Sequence, residues 1–320
     1  LMALLFAMAA NVGVSTMVSS FRLTFEGFLD QRLSAEMYVE AGDAETAARL
    51  ERFVQPYTWE VQPITWVDTE LAGLPAEVFG ARVGQTYREN WAFLDAAPEA
   101  WDRVAADDGV IINEQLARRA DLWVGDRLDM VNRTLPIVAV VGDYGNPVGQ
   151  AIVSEDLFQA VHDVPPIRFG LRTDDRAALR SALVDDFGLP APAVRDQDAL
   201  KRFSMQVFER TFTVTAALNV LTLAVAGFAI FMSLLTLAAL RLPQLAPAWA
   251  LGLTRAALGR LELARAVALA ALTAVFALPL GLALAWALLA VVNVEAFGWR
   301  LPMFLFPVDY ARLGLFTLAA

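Results

Sequence analysis

Three long stretches without a charged side chain set the first limit on what this chain can fold into. Leu1–Phe21, Thr211–Leu240 and Ala266–Val294 are apolar and uncharged. A helix needs about 20 mostly apolar residues to cross a bilayer, and each stretch is long enough. The two later stretches exceed the hydrocarbon thickness, so we expect them to tilt or to extend beyond the bilayer as helix. The sequence therefore predicts a membrane protein.

Charge separates one segment from these apolar stretches. Residues 22–210 hold 19 Lys and Arg against 32 Asp and Glu, a net charge of −13, whereas residues 211–320 hold 6 against 3. A nucleic-acid partner is excluded because it would require a basic surface. We therefore expect an acidic extramembrane domain between the first and second transmembrane helices.

The arginines of the short loops predict the orientation of the chain. The loop 241–265 carries four arginines against one acidic residue, whereas the loop 293–309 carries one against two. The positive-inside rule then places the first loop in the cytoplasm and the second outside. The predicted boundaries are transmembrane helix 1 at 1–21, an extracytoplasmic domain with stalk helices at 22–210, transmembrane helix 2 at 211–240, a cytoplasmic loop at 241–265, transmembrane helix 3 at 266–292, an external loop at 293–309 and the beginning of a truncated transmembrane helix 4 at 310–320.

Local patterns predict that the extramembrane domain is α+β. Apolar residues recur at helical spacing over Phe21–Leu33, so the first helix is expected to continue as a stalk. Two strand–helix–strand patterns flank a segment at 64–155 that is rich in short strands and turns. The predicted fold class is an α-helical transmembrane bundle (one helix, external domain, three helices) with an α+β domain, a β-α-β frame and a β-rich insertion. The expected elements are strands at Met37–Val39, Tyr57–Val61, Ile167–Leu171 and Ala193–Arg195, helices at Ala44–Val54, Asn113–Ala120 and Asp174–Phe187, and a helix from Asp198 that continues into the second apolar stretch.

The residue inventory predicts that this chain is not an enzyme. It has no cysteine and one histidine, His162, which excludes thiolate chemistry and a multi-histidine metal site. Its one lysine, Lys201, follows Leu200 rather than glycine, so no Walker A loop is present. We expect no catalytic residue, no metal site and no cofactor bound by the chain.

Several segments resemble the FtsX-like permeases of ABC transporters, a group that includes MacB-type exporters and lipoprotein-releasing permeases. The clearest are Thr211–Gly252 and Leu280–Pro307, together with VIINEQLARRADLWVGDRLDM and PIVAVVGDYGNP in the external domain. The resemblance covers essentially the whole chain. It implies a cytoplasmic ABC ATPase partner that uses ATP and Mg, and a second permease unit in the same chain or in a homodimer. It also implies that this chain is the C-terminal unit of a larger permease.

The resemblance places an ATPase-coupling loop at RLPQLAPAWALGLTR. Gln244 and Trp249 stand where the family commonly has Glu and Arg, so docking is expected to depend on apolar packing of Leu245, Trp249 and Leu251. The alternative is an interfacial amphipathic turn at headgroup level. The candidate coupling residues are Arg241, Gln244, Leu245, Trp249, Leu251, Gly252 and Arg255.

Four further residues are candidates for membrane-interface or helix-pairing roles. Glu262 and Arg265, three residues apart, form either an intramembrane functional pair or a snorkelling interfacial pair. Asn219 is expected to bridge transmembrane helices. Trp299, beside Phe297, is either part of a lateral gate or an aromatic-belt anchor.

These observations predict a permease subunit in the bacterial cytoplasmic (inner) membrane, multi-pass, with its large domain on the periplasmic side. It would couple ATP hydrolysis in the partner to movement of that domain. The uncharged apolar stretches favour export or extraction of a lipid-like or lipoprotein cargo, with the lipid membrane and a periplasmic protein as further partners. The alternative is a non-transporting mechanotransmission scaffold that regulates a cell-wall hydrolase.

Overall fold

The structure, a computed structural model, divides into two compact units. It describes residues 2–131, 133–241 and 254–319. The helical unit comprises Leu1–Thr24, Phe208–Asn293 and Arg300–Ala320, and the α+β unit comprises Phe25–Val207 and Val294–Trp299.

The elements follow one another along the chain as a long helix, a mixed α+β region and further helices. Their bounds through the first half are α1 (Met2–Arg32), β1 (Met37–Glu40), α2 (Ala44–Val54), β2 (Glu60–Pro63), β3 (Thr65–Leu71), β4 (Leu74–Ala81), α3 (Gln85–Asn90), β5 (Phe93–Ala96), α4 (Ala100–Ala105), β6 (Val110–Asn113), α5 (Glu114–Ala120), β7 (Arg127–Met130), β8 (Arg133–Val141) and β9 (Gly149–Ser154). The remainder are α6 (Glu155–His162), β10 (Arg168–Arg172), α7 (Arg176–Ser181), β11 (Val194–Asp196), α8 (Gln197–Arg241), α9 (Arg255–Ala287), α10 (Asn293–Phe297) and α11 (Pro307–Ala319).

Two helical stretches of the described residues are long and apolar enough to cross a membrane. They are Leu4–Arg32 and Ala256–Phe297, a judgement that rests on length and composition. The predicted second transmembrane helix lies within α8 and the beginning of the predicted fourth lies within α11. The number of transmembrane helices and the predicted domain boundaries stay predictions.

Glycines allow α1 and α9 to approach closely in the helical unit. A Cβ atom on Gly13 would lie 2.8 Å from Leu284 Cδ2, and one on Gly281 would lie 2.6 Å from Val12 Cβ. Neither position has room for a side chain. Small residues at such contacts are characteristic of helix packing in membranes, where close van der Waals contact replaces the hydrophobic effect.

A four-stranded antiparallel sheet forms what we call the frame of the α+β unit. Its strand order is β11-β1-β10-β2. The units β1-α2-β2 and β10-α7-β11 are therefore interleaved, with each pair of strands separated by a strand of the other unit. This split β-α-β arrangement is that of ferredoxin-like folds. Leu50 of α2 and Leu179 of α7 pack with Phe169 and Leu171 of β10 in the core of the frame.

Two predicted elements of the frame begin at least two residues too early, and the other three predicted strands differ from the observed ones by a single residue at one or both ends. Tyr57 does not begin a strand, because Gln55–Tyr57 forms a 3-10 turn, with Pro56 supporting its backbone, and β2 begins at Glu60. The helix predicted from Asp174 begins at Arg176, because Asp175 is its extended N-cap, whose carboxylate accepts a hydrogen bond from Ala178 N.

The segment between β2 and β10 forms what we call the insertion. Its sheet has seven strands in the order β3-β4-β9-β6-β8-β5, with β7 paired to β8 off this path. The pairs β4–β9 and β6–β8 are parallel and the other pairs are antiparallel. The core includes Ile112, Leu116, Ile137, Val153 and Phe158. An α+β domain with a β-rich insertion, as predicted, is therefore present.

Candidate functional site at the end of the first helix

The last residue of α1, Arg32, places a largely buried guanidinium against the insertion. Arg32 Nη2 donates to Gln150 Oε1 at 2.6 Å and lies 3.7 Å from Asp143 Oδ1. The guanidinium carbon also lies 4.1 Å from the centroid of the Trp91 ring. A buried charge is costly unless it is paired, and this one has a carboxylate, an amide oxygen and an aromatic face. The end of α1 is therefore held to the insertion by polar contacts with defined geometry.

Asn113 joins the beginning of α5 to the loop that contains Asp143. Its Oδ1 caps α5 by accepting a hydrogen bond from Leu116 N at 3.1 Å and also accepts from Gln150 N at 2.9 Å. Its Nδ2 donates to Val148 O at 3.0 Å and to Asp143 Oδ2 at 3.4 Å. Asn113 is fully buried, so each of these bonds satisfies a group that water does not reach.

The loop that contains Asp143 has two further contacts, one made by Gln115 of α5 and one made by its own Tyr144. Gln115, also fully buried, donates from Nε2 to Asp143 O at 2.6 Å and to Asn146 O. The Tyr144 ring packs edge-on against Phe28 of α1, with 5.8 Å between centroids. Burial raises the pKa of Tyr144 from its ordinary value near 10 to about 12. We call Arg32, Asn113, Gln115, Asp143 and Gln150 together the α1 junction.

Helix α5 also contacts the segment 294–299, which belongs to the α+β unit. Arg119 Nη1 donates to Pro147 O at 2.9 Å and Nη2 to Phe297 O at 3.4 Å. Gly298 has a φ of +82° and lies against Arg119, so glycine suits both its backbone and its surroundings. Trp299 is buried and stacks on Phe297 at 5.1 Å between centroids.

The beginning of α8 is fastened to the end of α1. Gln197 Nε2 donates to Leu33 O, and Gln197 N donates to Glu36 O at 3.1 Å. Lys201 Nζ lies 2.7 Å from Asp30 Oδ1. The two long helices that flank the α+β region in the chain thus meet at the edge of the frame.

Arg82 links the frame to the insertion. It pairs with Glu155 of α6, with Nε 2.6 Å from Oε2, and with Glu51 of α2 in the frame. Burial alone would lower the pKa of Arg82, but hydrogen bonds to the two carboxylates raise it overall. The frame and the insertion are therefore connected by a charged group as well as by the chain.

The structure places only part of the predicted site. Glu262 is half-buried and Arg265 exposed on α9, and Asn219 lies on α8. Arg241 ends α8 and Arg255 begins α9. The coupling-loop residues outside the described part of the chain are Gln244, Leu245, Trp249, Leu251 and Gly252.

The sequence analysis did not predict the α1 junction as a site. It did single out two segments that contribute to it, VIINEQLARRADLWVGDRLDM and PIVAVVGDYGNP. NEQ of the first motif and GDYGN of the second supply Asn113, Gln115 and Asp143. A usable signal was the run of polar residues where the buried strand β6 ends and α5 begins. Among the described residues, no group of three or more His, Cys, Asp and Glu is placed to hold a metal ion.

Comparison with known proteins finds a relative along nearly the whole chain. No family model matches the chain. An uncharacterized ABC transporter permease protein, Rv0987 of Mycobacterium tuberculosis, is 25% identical over 347 aligned residues that cover 99% of this chain. The resemblance to ABC transporter permeases is confirmed. The chain spans 40% of the length of that relative, so the activity and partners of the longer permease come to this chain only as proposals.

Two solved extracellular domains also resemble part of the permease-like chain. The extracellular domain of the noncanonic ABC-type transporter YknZ from Gram-positive bacteria is 10% identical, with a TM-score of 0.36, and covers 51% of this chain and 98% of its own. The periplasmic region of MacB from Actinobacillus actinomycetemcomitans is 14% identical, with a TM-score of 0.38, and covers 53% and 92%. Because both TM-scores are below 0.5, neither similarity supports a conclusion about the fold or the function of this chain.

Proposed function

We propose that the chain is a transmembrane permease subunit of an ABC system in the bacterial cytoplasmic membrane. It would couple ATP hydrolysis by a separate cytoplasmic ATPase to movement of its extracytoplasmic α+β unit. The observation that carries the proposal is the similarity to an ABC transporter permease over 99% of the chain. ATP and Mg belong to the ATPase in this proposal, and a second permease unit completes the assembly.

The connections around the frame give the proposal a mechanical route. Helix α1 is continuous from Met2 to Arg32, and α8 is continuous from Gln197 to Arg241. Because Gln197 and Lys201 at the beginning of α8 contact Leu33, Glu36 and Asp30 at the end of α1, displacement of one helix would be transmitted to the other. The α1 junction then passes that displacement to the insertion through buried hydrogen bonds, which permit little independent motion.

The cargo proposal rests on the absence of charge in the apolar stretches. Thr211–Leu240 and Ala266–Val294 carry no ionisable side chain in the sequence. Ionisable groups within membrane segments commonly mark ion and substrate pathways, and their absence favours a cargo that does not cross by an aqueous route. We propose a lipid-like or lipoprotein cargo that is exported or extracted.

The second candidate function is a scaffold that transmits force without moving cargo. In this case the same helices and the same α1 junction would transmit movement to a periplasmic partner, a cell-wall hydrolase, and so regulate it. A cell-chaining phenotype after gene deletion would favour the scaffold, whereas a defect in export or surface lipid would favour the transporter.

The proposed function is tested with the full-length protein and candidate ABC ATPases in lipid nanodiscs. We expect co-purification and an ATPase rate that responds to the double substitution Trp249→Ala and Leu245→Ala. The matched control is Leu94→Ala, an exposed apolar residue of β5 in the insertion, which should leave that rate unchanged. If no ATPase is bound, or if the loop substitutions have no effect, the coupling role is wrong.

A further inference from the structure

The insertion contains a cavity that the proposed coupling mechanism does not use. It has a volume of about 180 Å³ and lies among strands β3, β4 and β9, the hairpin β7–β8 and helix α6. Its inner wall is formed by buried apolar side chains, among them Leu135, Val153 and Phe158. Apolar cavities of about 150 Å³ remain dry and bind small hydrocarbons, so this cavity is large enough for part of an acyl chain.

The mouth of the cavity differs from its inner wall. Val131, at the end of the β7–β8 hairpin, is 69% exposed and lines the opening. The ionisable side chains of the lining are Arg133 and His162, and both are basic. These two residues belong to a segment of net charge −13, in which most ionisable side chains are acidic. Asp129 of the same hairpin accepts a hydrogen bond from Thr134 Oγ1 at 2.7 Å.

We propose that this cavity binds the acyl chain of a single-chain anionic amphiphile. The hydrocarbon would pack against the apolar lining, which includes Leu135, Val153 and Phe158, and its burial would remove its own apolar surface from water. The anionic head, a carboxylate or a phosphate, would lie beside Arg133 at the mouth. Fatty acids and lysophospholipids share this chemistry.

The interpretation of this cavity as a cargo site rests on the proposed function. Binding of the amphiphile is tested without the ATPase. The full-length protein is placed in nanodiscs of zwitterionic lipid without any ATPase and is photolabelled with a diazirine-bearing palmitic acid. Labelled peptides are then mapped by mass spectrometry. We expect labelling within Gly149–His162 in addition to the lipid-exposed helices. Labelling confined to the lipid-exposed helices would overturn the proposal.

Competitors test the chemistry of the ligand and identify its source. Laurate, lysophosphatidylglycerol and the neutral dodecanol are each added before irradiation. Protection of the cavity peptide by either anionic competitor, but not by dodecanol, supports the proposal, and the more effective anion distinguishes a free fatty acid from a lipid. Equal protection by dodecanol would overturn the role of Arg133.

Two substitutions at the mouth test the site itself. Arg133→Glu should lower labelling of the cavity peptide about fivefold, equivalent to about 1 kcal/mol, the upper range for an exposed ion pair. Ala160→Trp, at an exposed lining position on α6, should obstruct entry and lower it similarly. The matched control is Arg127→Glu, an exposed arginine on the same hairpin outside the cavity lining. Equal labelling in Arg133→Glu and Arg127→Glu would contradict the proposed binding at the cavity. If the cavity is labelled but the chain binds no ATPase, the proposed function is contradicted and the binding site is not.

Discussion

The frame and the insertion bury different kinds of side chain. The interior of the frame is an apolar cluster that includes Leu50, Phe169 and Leu179. The insertion has apolar clusters too, but beside them it buries a connected polar group that includes Asn113, Gln115 and Gln150. Apolar packing tolerates small displacements, whereas a buried hydrogen-bond network is stable in one arrangement and costly when partly broken.

The comparison indicates a division of roles within one α+β unit. The frame follows α1 and precedes α8 in the chain, so in the proposed mechanism it would receive displacements from both helices. The insertion is held by the α1 junction and by Arg82, and it contains the cavity. In the proposed mechanism, the α1 junction would transmit motion from α1 to the insertion, because its buried hydrogen bonds have a specific geometry.

The largest expected effect is that of removing the buried helix cap, Asn113→Ala. It removes the cap on Leu116 N and leaves Gln150 N, Val148 O and Asp143 Oδ2 without this partner. The local free energy of unfolding should therefore fall by about 4 kcal/mol, from a cap worth about 1 and three buried groups worth about 1 each. Hydrogen exchange of the α5 amides measures this loss. The control is Asp43→Ala, which removes the exposed cap of α2 in the frame and should destabilise far less. Equal losses would remove the distinction between the two regions.

A somewhat smaller effect is expected for Arg32→Met, which removes the cation of the α1 junction but keeps an apolar side chain of similar length. Asp143 loses its cation and Gln150 Oε1 its donor, so the local free energy of unfolding at β9 should fall by about 3 kcal/mol. Arg32→Lys keeps the charge but loses the planar contact with Trp91, so its local free energy of unfolding at β9 should lie between those of Arg32→Met and the wild type. Protection of β9 that is unchanged in Arg32→Met would show that the junction is not a stabilising contact.

The smallest expected effect is a dependence on alkaline pH. Burial raises the pKa of Tyr87, in the insertion, to about 12, against about 10 in an unfolded chain. Because the folded state retains this proton more tightly, its stabilising contribution is complete below pH ~10 and is lost as pH rises through about 12. The thermal stability of Tyr87→Phe should therefore decline less than that of wild type across this range. Parallel declines would contradict a buried neutral Tyr87.

Sequence patterns predicted local elements better than their assembly. Ala44–Val54 was predicted with the bounds observed, because it has an aspartate cap and a clear helical period. Asn113 was predicted as the start of α5 and is its cap. The interleaving of the two β-α-β units was not predictable, because strand order depends on contacts between residues far apart in the chain.

The α1 junction could not be read from the sequence for the same reason. Arg32, Asn113 and Asp143 are distant in sequence. The pairing of β6 with β8 and β9 brings Asn113 to Asp143 and Gln150, and Arg32 reaches this group from the end of α1. Arg32 looked like the end of a stalk and Asp143 like part of a turn. The coupling loop at 241–255 and the helix count remain predictions from charge and resemblance.

The central claim, that motion driven by ATP reaches the insertion through the α1 junction, is tested most directly by hydrogen exchange on the protein assembled with its ATPase in nanodiscs. Exchange in residues 142–154 is compared with and without ATP and vanadate, in wild type and in Arg32→Met. The account predicts a nucleotide-dependent change in wild type and its loss in Arg32→Met, with ATP hydrolysis retained in both. A change of the same size in both proteins, or none in wild type, would contradict it.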